Sequence, residues 1–221
     1  LTHDLGKLQT RWQKVMRGWQ TIIHNDFKNQ TRRSDPKSYL LAHTDYDPSD
    51  KTQREKMKEL DKRPPHAVEG AFLACDLLLQ FLEPLLREHY NANDKQVEGI
   101  LWTVVLAAGR HHYAWATGEK LSKTIKLHKN ARKAFKASLR SIVKVLPDSL
   151  PMRDRLTTLK LSGQKKSESG ELIYDTANFE LNNFRETQIK YHYLYLLVVR
   201  ALRLCDRRAV QWEFFNTHND S

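Results

Sequence analysis

Leu5-Gly6-Lys7-Leu8-Gln9-Thr10-Arg11-Trp12-Gln13-Lys14-Val15-Met16-Arg17-Gly18-Trp19-Gln20-Thr21-Ile22-Ile23 sets the reading of this chain. Leu5, Leu8, Trp12, Val15, Trp19 and Ile22 recur in steps of three and four. That spacing lays one apolar stripe along a helix over 5–23, so one face of the segment must pack against the rest of the protein.

Further along the chain the same signal recurs. Residues 26–65 are polar and punctuated by Pro36, Pro48, Pro64 and Pro65, a long excursion with one charged helix near 50–62. The apolar run 66–83 reads as a buried helix that Pro84 kinks or ends. Residues 94–108 form another helix, with Asp94 as its cap and Gly109 as its stop, and a short loop then holds His111 and His112. Residues 120–146 read as helix up to Pro147, residues 148–176 as an exposed loop with Gly163 and Gly170, and residues 178–213 as a last long helical region. No strand pair, tandem repeat or inter-core linker stands out. The expected fold class is all-α: a single helical bundle with long surface loops spanning 1–221.

Net charge is +11 and the pI is near 9.6, an excess that favours a polyanionic partner, nucleic acid before a membrane surface. The longest apolar runs are broken by Asp76, Gln80 or Arg200, well short of the ~20 residues that span a bilayer. Asp4, Lys7, Arg11 and Lys14 interrupt any signal-peptide pattern at the start. Cys75 and Cys205 sit inside helical apolar patterns and read as small core residues in a reducing compartment. The expected location is the cytoplasm.

Histidine and aspartate recur where predicted helices begin or end. His3-Asp4 opens the first helix, His66 opens the second apolar one, His111-His112 follows the third, and Asp206 lies within the apolar pattern of the last. Imidazole and carboxylate together suit Fe, Mn, Ni or Zn, and a carboxylate can bridge two ions. Each piece also has a plainer reading. A lone His-Asp dipeptide is a weak signal, His111-His112 fits a surface turn, His66 fits a simple helix start, and Asp206 fits a salt bridge to Arg203 or Arg207.

The order of the pieces resembles the HD superfamily of metal-dependent phosphohydrolases. His3-Asp4-Leu5-Gly6-Lys7 is similar to its signature, and the Trp12-Gln13 pair that follows is similar to its CRISPR-associated branch. Pro65-His66-Ala67-Val68-Glu69-Gly70-Ala71, Ala108-Gly109-Arg110-His111-His112 and Leu204-Cys205-Asp206-Arg207-Arg208-Ala209 resemble that branch's remaining motifs, in its order and across nearly the whole chain. The resemblance implies an HD-domain helical bundle and a nuclease that cuts single-stranded DNA in CRISPR antiviral defence. Its partners would be a fused or associated helicase and an RNA-guided surveillance complex. It also implies two divalent transition-metal ions (Mn, Fe, Ni or Co, ahead of Zn or Mg). His3, Asp4 and Asp206 would hold one ion, and Asp4 would bridge to a second held by His66, His111 and His112. Lys7 would stand beside the scissile phosphate, with Asp4 and Lys7 as the catalytic pair. The family's pattern has one more histidine on a helix before the His-Asp pair. Its absence implies a segment of a longer chain lacking its first helix, or a permuted chain in which His192 supplies the ligand.

Between Lys120 and Lys144 the chain has nine basic residues and no acidic one. On a helix, Lys126, Lys129, Lys133, Lys136, Arg140 and Lys144 share one side, a ridge suited to a phosphate backbone or, more plainly, a solvated face. Trp12, Tyr113 and Trp115 are candidates for base stacking, with core packing as the alternative for Trp12. Two other functions stay open: an HD phosphohydrolase for small nucleotides, and a non-catalytic basic helical module that docks nucleic acid.

Overall fold

The computed structural model describes residues 2–23, 40–42, 44, 46–47, 49–58, 60, 64, 66–111, 121–176 and 190–218, with side chains at 2, 3 and 207–218 outside the description. The described residues are mostly helical, with a small three-stranded sheet. Among them, no helix is long and apolar enough to cross a membrane.

The opening segment divides in two. Thr2–Leu8 winds as a 3-10 helix, Gln9 forms a bridge to Leu127, and α1 runs over Thr10–Ile23. Helix α2 (Lys51–Met57) is shorter than the charge pattern suggested. The Asp50 side chain starts it by accepting from the N–H groups of Thr52 and Gln53, and Met57 is its buried residue.

Helix α3 (His66–Tyr90) runs through Pro84 without ending. Proline removes one backbone donor, but Phe81, Leu82 and Leu86 on either side pack against the core, and that burial carries the helix onward. It stops at Asn91, whose φ of 50° is the left-handed turn a helix exit uses. Helix α4 (Asp94–Arg110) is capped by Asn93 rather than Asp94: Asn93 and Gln96 exchange side-chain and backbone hydrogen bonds in a capping box. Gly109 does not stop it. Ala107, Ala108 and Gly109 are all buried, and their small size suits the last turn to close packing.

The all-α expectation gives way at the next segment. Residues 120–146 are not one helix. Thr124–Leu127 is strand β1, and helix α5 occupies Ala131–Val145. The stretch expected as an exposed loop holds a 3-10 turn at Arg153–Thr158 and strands β2 (Lys165–Lys166) and β3 (Leu172–Asp175). Strand order is β1-β3-β2, all antiparallel, with Ile125 opposite Tyr174 and Leu127 opposite Leu172. Those four side chains are buried, while Thr124, Lys126 and Asp175 alternate outward.

Helix α6 spans His192–His218 and packs on α4, with Val199 buried. The main core gathers Leu5, Ala74, Leu77, Leu101 and Val105 from the helices with Ile125, Leu127, Phe135, Leu172 and Tyr174 from the sheet and α5. Trp12, Val15 and Met16 form a second cluster with Trp19 and Leu41. The sheet holds the opening segment in place, because the His128 N–H donates to Leu8 O at 2.9 Å beside the Gln9–Leu127 bridge.

Candidate metal centre

Asp4 is carried by the 3-10 helix, His66 is the first residue of α3, and His111 is the residue after α4. The 3-10 helix packs on α3 and α4, and the three residues each present a ligand atom within 4.8 Å of the others. One glycine makes this approach possible. A Cβ on Gly6 would meet His66 O at 2.0 Å, so only a residue without a side chain lets the 3-10 helix rest on the start of α3.

His111 is fully buried. Its Nδ1 lies 2.6 Å from Ala108 O, an acceptor only, so Nδ1 donates to that carbonyl and Nε2 is the ring nitrogen turned toward the site. Nε2 is 3.8 Å from Asp206 Oδ2 on α6. A carbonyl behind the remote imidazole nitrogen is the usual outer support of a metal-ligating histidine. Arg203, one turn before Asp206, does not pair with it in the way the plainer reading allowed. Its Nε donates to His111 O at 2.7 Å, so α6 grips His111 by backbone and by side chain.

The His66 ring packs edge-on against Trp12, with centroids 4.6 Å apart, and lies 6.3 Å from the His111 ring. Trp12 is therefore core, 2% exposed, and not a stacking platform. Lys7 is 5% exposed. Its Nζ sits 3.0 Å from Asp4 Oδ1 and 5.9 Å from the Trp12 ring centroid.

Four polar side chains, none of them proposed as a site residue from the sequence, hold this arrangement. Gln13, 2% exposed, donates from Nε2 to Lys7 O at 2.8 Å and to Leu41 O at 2.9 Å. Glu69, fully buried one turn after His66, accepts from Gln9 Nε2 and from Ser122 Oγ. Gln9 also donates to Gly6 O at 2.8 Å, so the network ties the Gly6 turn, α3 and the approach to β1 together. A lone carboxylate inside the apolar run Ala67–Leu73 was the sequence signal for Glu69.

Asp4, His66, His111 and Asp206 are thus neighbours, and Lys7 stands beside Asp4. The side chain of His3 and the whole of His112, Tyr113 and Trp115 lie outside the described residues. His192 is exposed at the start of α6. The ridge is divided: Lys126 lies on β1, Lys129 in the turn before α5, and Lys133, Lys136 and Arg140 on α5, all exposed. Asp4 and Lys7 open onto a cleft of about 350 Å3, whose far wall is Ala134, Phe135 and Ser138 of α5.

The two imidazoles and one carboxylate of His66, His111 and Asp4 could hold a metal ion, a mixed nitrogen and oxygen set of the kind divalent transition metals take. No family model, curated protein or solved structure matches the chain.

Proposed function

We propose that the chain is an HD-type, metal-dependent phosphodiesterase that hydrolyses single-stranded DNA, acting in CRISPR defence beside a helicase and an RNA-guided complex. The observation that carries the reading is the convergence of Asp4, His66 and His111 beside the buried Lys7. A core held together only by packing has little reason to place two imidazoles, a carboxylate and an ammonium in one spot, since each costs desolvation.

The donor set suits the proposed ions. His3, Asp4 and Asp206 would hold one, and Asp4 with His66, His111 and His112 would hold the second, the set whose Asp4, His66 and His111 lie together. Divalent ions supply Lewis-acid polarisation and acidify water. The protein's own groups do the rest. His111 keeps Nε2 aimed at the site because Ala108 O holds the Nδ1 proton. Lys7, fixed by Asp4 and by the Gln13 bond to its carbonyl, places a positive charge where the phosphate oxygens gain negative charge. Its burial strengthens that interaction by excluding water. The exposed cations lie on the outward side of α5, the helix whose Ala134, Phe135 and Ser138 wall the cleft, and such a charged face suits a long polyanion better than a small nucleotide.

The test is direct. The purified chain, stripped of metal, is given single-stranded DNA with Mn, Fe(II), Ni or Co. Cutting that appears with metal and stops with EDTA supports the reading. DNA binding without hydrolysis under any metal would leave a basic docking module.

A further inference from the structure

We propose that the cleft beside Asp4 and Lys7 is a nucleobase subsite, which takes the base flanking the scissile phosphate and so limits cutting to unpaired strands. The inference rests on the phosphodiesterase reading above and adds a determinant to it.

The cleft, about 350 Å3, has Asp4 and Lys7 at its polar end and Leu8, Leu41, Ala134 and Phe135 as its apolar walls. Its size is at the small end of ligand sites, about 300–1,000 Å3. One wall is clamped in place. Gln13 Nε2 donates to Leu41 O at 2.9 Å, the Leu41 N–H donates back to Gln13 Oε1 at 2.8 Å, and Trp12 Nε1 adds a bond to the same carbonyl at 3.1 Å. The Gln13 amide also holds Lys7 O, so one buried side chain sets the distance between the apolar wall and the cation. The opposite wall belongs to α5, anchored in the core by Phe135, whose outward side carries Lys133, Lys136 and Arg140.

A slot that is apolar within and ends at the Asp4–Lys7 pair, where the phosphodiesterase reading puts the scissile phosphate, matches a flat apolar base joined to an anionic backbone. A small apolar molecule would use the walls and leave the buried Lys7 ammonium without an anionic partner from the ligand. A paired base would bring its partner into the wall, whereas an unpaired base enters with little unstacking cost. Contacts of this kind tolerate every base, because each has an apolar face.

The test uses the whole chain in two arms. In EDTA, where nothing is cut, 2-aminopurine is scanned through an oligonucleotide, and one position should change its emission on binding. That change should vanish in Ala134→Phe and in Ser138→Trp, each checked for native circular dichroism. Ser138 is exposed, so the second variant tolerates a large side chain even if the first does not fold. With Mn, the wild-type chain should cut a normal strand about tenfold faster than one with an abasic residue at the flanking position. In the variants that ratio should fall to about one. Equal cutting of abasic and normal strands by the wild type, or unchanged 2-aminopurine emission in EDTA, would overturn the subsite. Displacement of the strand by equimolar deoxyadenosine monophosphate would make it a site for free nucleotides and overturn the single-strand reading. Absence of hydrolysis with every metal would defeat the phosphodiesterase reading instead, and the EDTA arm would still decide the cleft.

Discussion

Gly6 rests against the first residue of α3 so closely that a Cβ on it would lie 2.0 Å from the carbonyl oxygen of His66. The obstacle is backbone, which cannot swing aside as a side chain can. Gly6→Ala must therefore part the 3-10 helix from α3, which separates Asp4 from His66. We expect it to cost about 3 kcal/mol in urea unfolding. It should also lower metal content by mass spectrometry in the fraction that still folds. A variant with wild-type stability and metal content would mean that the two segments do not meet as described.

Glu69, one turn after His66 on α3, is fully buried and accepts from Gln9 and Ser122. Removing its carboxylate leaves Gln9 Nε2 and Ser122 Oγ without that acceptor and opens a void in a fully enclosed place. Glu69→Ala should destabilise the chain by about 3 kcal/mol. Glu69→Gln keeps the volume and one acceptor oxygen, so it should recover about half of that. Equal unfolding midpoints for the two variants would show that the retained volume and amide oxygen contribute nothing at this position, and a Glu69→Gln midpoint equal to wild type would show that volume alone matters.

The helices were legible because their apolar spacing extends over many turns. The Asp4–His66–His111 grouping was legible only through the order of its motifs, since residues 4, 66 and 111 carry no spacing that brings them together. The sheet was not legible. Its strands are two to four residues long, and Ile125 finds its partner Tyr174 across 49 positions of chain (174 − 125). Lysines at 123, 126 and 129 fit a helix face as readily as the outward positions of a short strand and its turn. Pro84 does not end α3 and Gly109 does not stop α4 for a related reason: local propensity costs a kcal/mol or a few, and the packing around both outweighs it.

The two thiols should differ in reactivity. Burial, with Asp76 nearby, pushes the Cys75 thiol up to about 12, whereas Cys205 is exposed on α6. The reactive form is the thiolate, so near pH 8 Cys75 has almost none. Native protein should take one iodoacetamide per chain, on Cys205, and unfolded protein two. Peptide mapping that finds Cys75 alkylated at the Cys205 rate in native protein would contradict its placement against Ala71 and the core.

Asp4 separates metal binding from folding. Asp4→Asn keeps an oxygen for Lys7, whose Nζ is 3.0 Å away, but gives up the charge a divalent ion needs. Circular dichroism should stay native, while metal content and DNA cutting fall by at least about a hundredfold in rate. Lys7→Met should lower the rate as well, but with metal still bound. If Asp4→Asn cuts DNA normally, Asp4 is no ligand and the centre is misassigned.

Charge reversal on the basic side of α5 separates the proposed long substrate from a short one. Lys133, Lys136 and Arg140 are exposed and fall on one side of the helix, away from the buried Ala131, Phe135 and Leu139. Lys126 stands apart on β1. If α5 tracks the phosphate backbone, changing its three cations to glutamate should weaken single-stranded DNA binding strongly. Each lost phosphate contact should flatten the slope of log affinity against log salt by about 0.7. Lys126→Glu alone should have a smaller effect, since a single contact is lost. Hydrolysis of bis-p-nitrophenyl phosphate should fall less than DNA cutting in the triple variant, because so small an ester reaches the centre without crossing the ridge. An unchanged salt slope would make these lysines and arginine a solvated face, and a small-nucleotide substrate would then fit the cleft better than a strand.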